Sequence, residues 1–334
     1  MNNDPNIKCP LCSGTSTKHL HFFNSDAIQV HLGIESIAND AISKQIEKLW
    51  GGKKCEFRTC TNCKLTFADP FVAGDSKLYN LIYSSGLNYP KWKWEFDFAL
   101  NSIKEIHKPS EYDSLNILEI GAGVGSFLNQ LIKDGFNRNH LLATEFSEHG
   151  KKQIESYGVK CLSSDLKDLC TEENKEKFDV IVLFQVLEHL QDFNGVFKSL
   201  DYLLKPKGSL ILSVPNNYHR EFFEALGYKE DVPPIHISRW NRSSFNFLEK
   251  NYQLKIVTHL IEPNRLLTNI SKLLRFKYGT NSLLSRVNNI EKRLLRLIVK
   301  SIILFPLALL NIRFLPSLQN KNLGISQSIH FRKS

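Results

Sequence analysis

Residues Asn116–Phe127 read NILEIGAGVGSF. The strand-forming residues Ile117, Leu118 and Ile120 run into Gly121, Gly123 and Gly125, each one residue apart, and Glu119 stands two positions ahead of the first glycine. A strand entering a glycine turn and then a helix cradles nucleotides, because glycine lets the backbone come close and the helix N-terminus offers free amide donors. Dinucleotide sites use G-x-G-x-x-G, whereas the spacing here is G-x-G-x-G. Glu119 would also repel a pyrophosphate, and it suits an ammonium group instead.

On both sides of this turn, strands and helices alternate. NILEI, HLLATE, VKCL, FDVIVLF, SLILSV and LKIVTHL read as strands, and SFLNQLIKDG and FNGVFKSLDYLLKPKG carry helical periodicity. KPKG reads as the stop before the next strand. Such alternation predicts βαβ units, a parallel sheet and helices on both faces. A last strand, ISQSIHF, is expected to pair antiparallel with LKIVTHL. Two more acids follow strand ends: Glu145 in ATEFS, placed to take ribose hydroxyls, and Asp165 in SSDL, placed to accept from an adenine amino group. One such acid is ordinarily a solvated loop residue; three at successive strand ends form a pattern.

These motifs, with FDVIVLFQVLEHL and LLKPKGSLILSVPN, resemble the class I S-adenosylmethionine-dependent methyltransferases over Asn116–Leu260. The family's turn after the last helix is LKPGG-like, and here it is Lys-Pro-Lys-Gly. The resemblance implies a Rossmann-like seven-stranded α/β sheet. It also implies that Gly121, Gly123 and Gly125 line the cofactor, with Glu119 at its amine, Glu145 at its ribose, Asp165 at its adenine, and Gln185 in the same binding set.

Methyl transfer to a hydroxyl needs a base, and histidine titrates in the right range. Two histidines follow strand ends, where open α/β sheets place their sites. His189 lies in LEHL beside Glu188; it is either catalytic or a packed helix-start residue. Glu188 either orients a histidine or helps hold a metal ion. His236 lies in VPPIHISRW, where Pro233 and Pro234 stiffen the backbone ahead of it. This PPxH loop with its Arg/Trp pair resembles that of sugar-modifying and ubiquinone-type methyltransferases; in the sugar group the histidine is thought to act as base.

CPLC (Cys9, Cys12) and CTNC (Cys60, Cys63) are two C-x-x-C knuckles, the ligand set of a closed, structural Zn²⁺ site. The 47 residues between Cys12 and Cys60 exceed ribbon spacing, and SDAIQVHLGIESIANDAISKQIEKLWGG (25–52) within them reads as a helical insertion. Cys55, His19 and His21 are spare donors. Such a module before FADP and a Tyr-rich stretch resembles nucleotide-sugar C-methyltransferases and related enzymes of bacterial glycan pathways. Those carry glycine after the second knuckle, and here Lys64 stands there. Tyr79, Tyr83, Tyr89 and Trp92 form a lid or an aromatic core.

The chain's net charge is +9. Residues 262–323 hold eleven Lys/Arg against two Glu, so this segment alone accounts for the whole excess. Leu283, Val287, Ile290, Leu294, Leu297, Ser301 and Phe305 keep helical spacing, and Arg286, Arg293 and Lys300 recur at sevens on another face. That pattern predicts a basic amphipathic helix that adsorbs to an anionic membrane surface or packs on the core or on a dimer partner. LIVKSIILFPLALLNI is shorter than a membrane span.

The expected organisation is a zinc-ribbon-like module (1–75), a helical aromatic linker or lid (76–112), the S-adenosylmethionine-binding core (113–261), the basic helical insertion (262–322) and the last core strand (323–334). No apolar signal region opens the chain and seven cysteines suit a reducing compartment. The expectation is a cytoplasmic enzyme, peripheral on the membrane, methylating a small-molecule or lipid-linked glycan acceptor at oxygen. Carbon methylation of a nucleotide sugar, RNA methylation and a non-catalytic membrane scaffold are the alternatives. The charge interleaves with aliphatic runs rather than aromatics, which argues against nucleic acid.

Overall fold

A computed structural model describes residues 7–26, 28, 39–82, 92–229, 231–278, 294–295, 298–299, 302 and 312–334. Its strands are β1 (Thr17–Asn24), β2 (Lys54–Cys60), β3 (Thr66–Asp69), β4 (Ile117–Ile120), β5 (Leu141–Thr144), β6 (Lys160–Leu162), β7 (Phe178–Phe184), β8 (Leu204–Pro215), β9 (Ser238–Arg239), β10 (Leu254–Ile261) and β11 (Ser326–Lys333). The chain divides into two compact units. The first is Met1–Asn217, Glu230–Leu260 and Ser326–Ser334; the second is Tyr218–Lys229 with Ile261–Ile325.

The first unit holds a seven-stranded sheet in the order β10-β11-β8-β7-β4-β5-β6. β4 pairs parallel with both β5 and β7, and β7 pairs parallel with β8. β11 runs antiparallel to β8 and lies beside β10, so the two expected partner strands are neighbours although some sixty residues separate them. From β4 the chain proceeds outward to β5 and β6, then returns to β7 on β4's other side. The strand order therefore switches between β4 and β7, and a crevice opens beyond their carboxyl ends.

Side-chain alternation fills both faces. Leu118, Ile181, Leu183, Leu210 and Leu212 enter one core with Phe193, Phe197, Trp240 and Phe245. Ile117, Val180, Val182 and Ile211 enter the other with Phe96, Phe127 and Leu128. The central strands are thus buried on both sides, which explains their uninterrupted apolar runs. KPKG differs from the expected loop. The preceding helix does stop, at Leu203, but Lys205–Gly208 already belong to β8. The register slips between the pairs Phe178–Leu204 and Val180–Ser209, with Lys207 at φ +62°, so a bulge absorbs the turn residues.

The cysteine knuckles flank β1 and β2 of a second sheet, ordered β1-β2-β3-β9. Its core joins Phe23, Ile42, Ile46, Trp50 and Phe57 to Val232, Ile235 and Ile237 from the segment after β8. Within the described part of the insertion, Asn39–Trp50 is a helix. The linker contributes the helices Ser76–Ile82 and Trp94–Ile106.

The second unit is small and helical, built on Leu266–Tyr278 and a short helix at Leu315–Leu318, around Phe223, Leu273, Leu318 and Leu323. His219 is fully buried there, between the Leu323 carbonyl at 3.0 Å and Lys272 Nζ at 2.8 Å. The predicted heptads at Arg286, Arg293 and Lys300 lie outside the described residues, as do Tyr83 and Tyr89.

Candidate active site

β4 delivers the glycine turn to the crevice. Gly121, Gly123 and Gly125 all have positive φ (+66°, +57° and +70°), a conformation that costs glycine nothing. The Thr144 hydroxyl accepts from Gly121 N at 3.2 Å, and Glu145 Oε2 accepts from Gly123 N at 2.8 Å. Glu145 Oε1 accepts from Ser147 N at 2.8 Å, and Ser147 caps the helix Glu148–Ser156. The acid expected at the ribose thus also shapes the turn. Gly150 closes the arrangement: a Cβ there would lie 2.2 Å from the Gly123 carbonyl oxygen.

Glu119 is buried beneath this turn, its Oε2 without a hydrogen-bond partner among the described residues. Burial pushes its carboxyl up to about 8; Lys93 opposes the shift and Glu145 adds to it. Asp165 is exposed, ahead of the 3-10 turn Leu166–Leu169. Gln185 follows β7 at φ +58° and bonds through its backbone N to Ser213 O at 2.9 Å. Val186, next in chain, packs under Gly121. Glu119, Gln185 and the glycines therefore share the rim at the switch point, with Glu145 across the turn.

Glu188, His189 and His236 come together past the end of β7, their ligand atoms within 4.8 Å of one another. The rings of His189 and His236 meet edge to face at 4.7 Å. His189 Nδ1 lies 2.6 Å from Ile235 O and 3.2 Å from the Tyr79 hydroxyl. The carbonyl contact assigns the proton to Nδ1 and leaves Nε2 with the lone pair. Burial, then the charge of His236, pushes His189 down to about 3, so it is neutral at ordinary pH. Glu188 is fully buried, and no other described residue hydrogen-bonds its carboxylate. Burial raises it to about 7, opposed by His236. Two imidazoles and a carboxylate are a donor set that suits a divalent transition metal.

Asp231, which sequence reasoning missed, lies with Oδ1 3.0 Å from His236 Nδ1. Arg239 donates to the Asp231 carbonyl at 2.7 Å and stacks over the Phe57 ring at 4.3 Å. The only hint in the sequence is an acid five residues ahead of the histidine, across Pro233 and Pro234, whose shared peptide bond is cis. Lys93, also missed, is a cation whose charge lowers both Glu119 and Glu188.

A family profile described as "Methyltransferase domain" matches residues 92–259, half of the chain. The chain belongs to this methyltransferase-domain family. It is 24% identical over 156 residues to the mitochondrial ubiquinone biosynthesis O-methyltransferase of Dictyostelium discoideum, covering 42% of this chain and 48% of that protein. The ubiquinone biosynthesis O-methyltransferase of Actinobacillus pleuropneumoniae serotype 7 is 31% identical over 109 residues, 30% of this chain and 45% of that one. The chain thus spans about half the length of these curated relatives. Among solved structures, a putative sarcosine dimethylglycine methyltransferase from Galdieria sulphuraria shares 15% identity over 77% of this chain and 97% of its own, with a TM-score of 0.44.

In front of the methyltransferase domain, Cys9, Cys12, Cys60 and Cys63 gather their sulfurs within 4.8 Å of one another. Cys9–Cys63 and Cys12–Cys60 Sγ distances are 3.6 and 3.5 Å. Zinc–thiolate bonds of about 2.3 Å in a tetrahedron place sulfurs roughly 3.8 Å apart, so the cage has the size zinc requires. Sharing of protons within the cage pushes Cys9 up to about 12 and holds Cys60 well below an ordinary thiol. Both knuckles end in a left-handed residue, Ser13 at φ +58° and Lys64 at +62°. Lys64 therefore adopts the conformation a glycine would take there. Cys55, His19 and His21 stand outside the cage; His19 pairs with Glu56 at 2.6 Å.

Proposed function

We propose that this chain transfers the methyl group of S-adenosylmethionine to an oxygen of a small organic acceptor. The observation that carries this reading is the convergence, at one switch point, of the glycine turn, a buried acid and a histidine pair. Glu119 would receive the donor's ammonium, Glu145 its ribose hydroxyls and Asp165 its adenine amine; the glycines and Gln185 complete the bed. Family membership supports the donor, and the O-methyltransferase relatives support oxygen as the accepting atom.

Chemistry is an in-line displacement. The acceptor hydroxyl loses its proton to His236 Nε2 as its oxygen bonds the methyl carbon, and the carbon–sulfur pair stays on sulfur. Asp231 Oδ1, 3.0 Å from Nδ1, would draw the proton to Nδ1 and so leave Nε2 free. His189, neutral and tied to Ile235 O, braces the loop. The acceptor class we favour is a sugar or glycan hydroxyl, from the resemblance of the cysteine module and PPxH loop. The four cysteines would hold a structural Zn²⁺.

Calorimetry with S-adenosylhomocysteine, then transfer of radiolabelled methyl into nucleotide sugars, glycolipids, small phenols and RNA, tests the reading. Label in a small-molecule fraction is expected, falling about 100-fold or more in His236→Ala. No uptake of donor or product, or label in RNA alone, overturns it. The unpartnered Glu188 carboxylate favours a second reading, in which Glu188, His189 and His236 hold a divalent cation. Loss of transfer after chelation, with rescue by Mn²⁺, Mg²⁺ or Zn²⁺ and no change in the cysteine-bound metal, would select it.

A further inference from the structure

The segment bearing His236 is built into the cysteine module. Val232, Ile235 and Ile237 flank the histidine, and all three are buried in the module's own core with Ile42, Ile46 and Phe57. The module also holds the segment's backbone: Ala68 N donates to Ile237 O at 2.8 Å and Gly74 N to Pro234 O at 2.7 Å. β9 then adds to β3 as a fourth strand, Thr66 opposite Arg239 and Phe67 opposite Ser238. Asn241 Nδ2 bonds Lys64 O at 2.6 Å, one residue past the last cysteine. From Phe57 the chain of contacts runs through Arg239 and Asp231 to His236.

The bonds that shape the glycine turn come from elsewhere: Thr144 and Glu145 at the end of β5, and the Ala122 carbonyl within the turn. None of these bonds comes from the cysteine module; the His236 segment meets the loop after β7 through Ile237 N to Glu188 O at 3.0 Å and Ile235 O to His189 Nδ1 at 2.6 Å. The turn from Cys60 to Lys64 ties the cysteine cage to β3: Cys60 N donates to Leu65 O, and Lys64 N to Cys60 O. Whatever fixes the four sulfurs fixes the strand on which β9 pairs.

We propose that the four-cysteine module is the positioning element of the acceptor side, so that a metal held by Cys9, Cys12, Cys60 and Cys63 is needed for methyl transfer but not for donor binding. Asp231, Arg239 and Phe57 are the positioning residues that transmit its geometry to His236. The inference rests on the methyl-transfer reading above only for its activity arm.

The test compares the zinc-loaded full chain, the same protein after chelation with a thiol-directed displacer and re-reduction, and the metal-readded sample. Amide exchange at Ala68 and Gly74, whose N–H groups hold the Ile237 and Pro234 carbonyls, should quicken about tenfold or more without metal, while Ala122 and Gly125 keep their protection. S-adenosylhomocysteine affinity should stay within about threefold, and kcat should fall roughly 100-fold, as misplacement of a catalytic group by about 1 Å costs. Metal re-addition should restore both. Phe57→Leu leaves every cysteine in place and should retain zinc, keep the KM for donor and lose about tenfold in kcat. Unchanged exchange at Ala68 and Gly74 without metal, wild-type kcat in Phe57→Leu, or product affinity lost in step with kcat would each overturn the inference. If the zinc-loaded protein binds no S-adenosylhomocysteine, the functional reading fails, and the exchange arm still decides the positioning claim.

Discussion

Glu119 is a carboxylic acid kept where a carboxylate is costly, and that has a measurable consequence. Its folded pKa of about 8 means it is mostly protonated at pH 7 in the free protein. A bound ammonium would favour the ionised form, so donor uptake should expel the proton. Calorimetry in buffers of different ionisation enthalpy is expected to show close to one proton released at pH 7 and almost none at pH 9. Affinity should rise about tenfold per pH unit until the free protein's pKa is reached, then level off. Glu119→Gln should bind weakly with no such slope; a wild-type slope in that variant would assign the proton elsewhere. The sign for stability is opposite. The extra proton stabilises the free fold fully below the unfolded carboxyl's 4.5, and that contribution is lost as pH rises through 8. Donor should therefore raise Tm most on the alkaline side. Glu119 was readable in the sequence because it abuts the glycines it serves. Asp231 was not: nothing in a linear sequence says that residue 231 will fold back to the imidazole of residue 236, since that contact is made by a loop folded against another sheet.

At the scale of elements, the parallel core could be read because its strands are buried on both faces and their apolar runs advertise it. The knuckles could be read because two C-x-x-C pairs have the spacing that a four-sulfur cage requires. β9 could not, since two residues, Ser238 and Arg239, carry no periodicity and become a strand only when β3 offers its edge. Nor did the sequence show how the helix Glu148–Ser156 meets the glycine turn. That junction depends on Gly150, where a Cβ would stand 2.2 Å from Gly123 O, 2.8 Å from Glu145 Cγ and 2.8 Å from Ser147 Oγ. Backbone cannot yield as a flexible side chain does, so Gly150→Ala must push the helix off the turn, at a cost of about 1–3 kcal/mol. Thermal unfolding should show the loss, and S-adenosylhomocysteine affinity should fall with it because Glu145 moves. Gly52→Ala, where a Cβ would meet nothing within 4 Å, is expected to change neither. Equal affinity in Gly150→Ala and wild type would mean that the helix and the donor bed are uncoupled.

Across the whole molecule, charge and apolar exposure are unevenly shared. The net +9 lies in residues 262–323, and the remaining sequence is balanced. The same segment exposes Leu267, Leu294, Leu295, Ile298 and Ile302, which monomers ordinarily bury or keep single. No helix among the described residues is long and apolar enough to cross a membrane. Basic residues interleaved in the sequence with these aliphatic ones match the two-part chemistry of interfacial adsorption: each Lys or Arg near an anionic leaflet adds about 1 kcal/mol, and inserted aliphatics add area-dependent burial. The intact protein is therefore expected to co-sediment with vesicles rich in phosphatidylglycerol and to stay in the supernatant with phosphatidylcholine alone. High salt should release most of it, because the coulombic part is screened within a few ångströms at molar ionic strength. Leu294→Ser with Ile298→Ser should weaken binding without altering its salt dependence, whereas Lys292→Gln with Arg293→Gln should flatten that dependence. Salt-insensitive binding to both vesicle types would leave only the apolar contribution. Indifference to both would mean that these leucines and isoleucines meet protein instead, and sedimentation velocity of the same samples would then show a second copy of the chain in place of a bilayer.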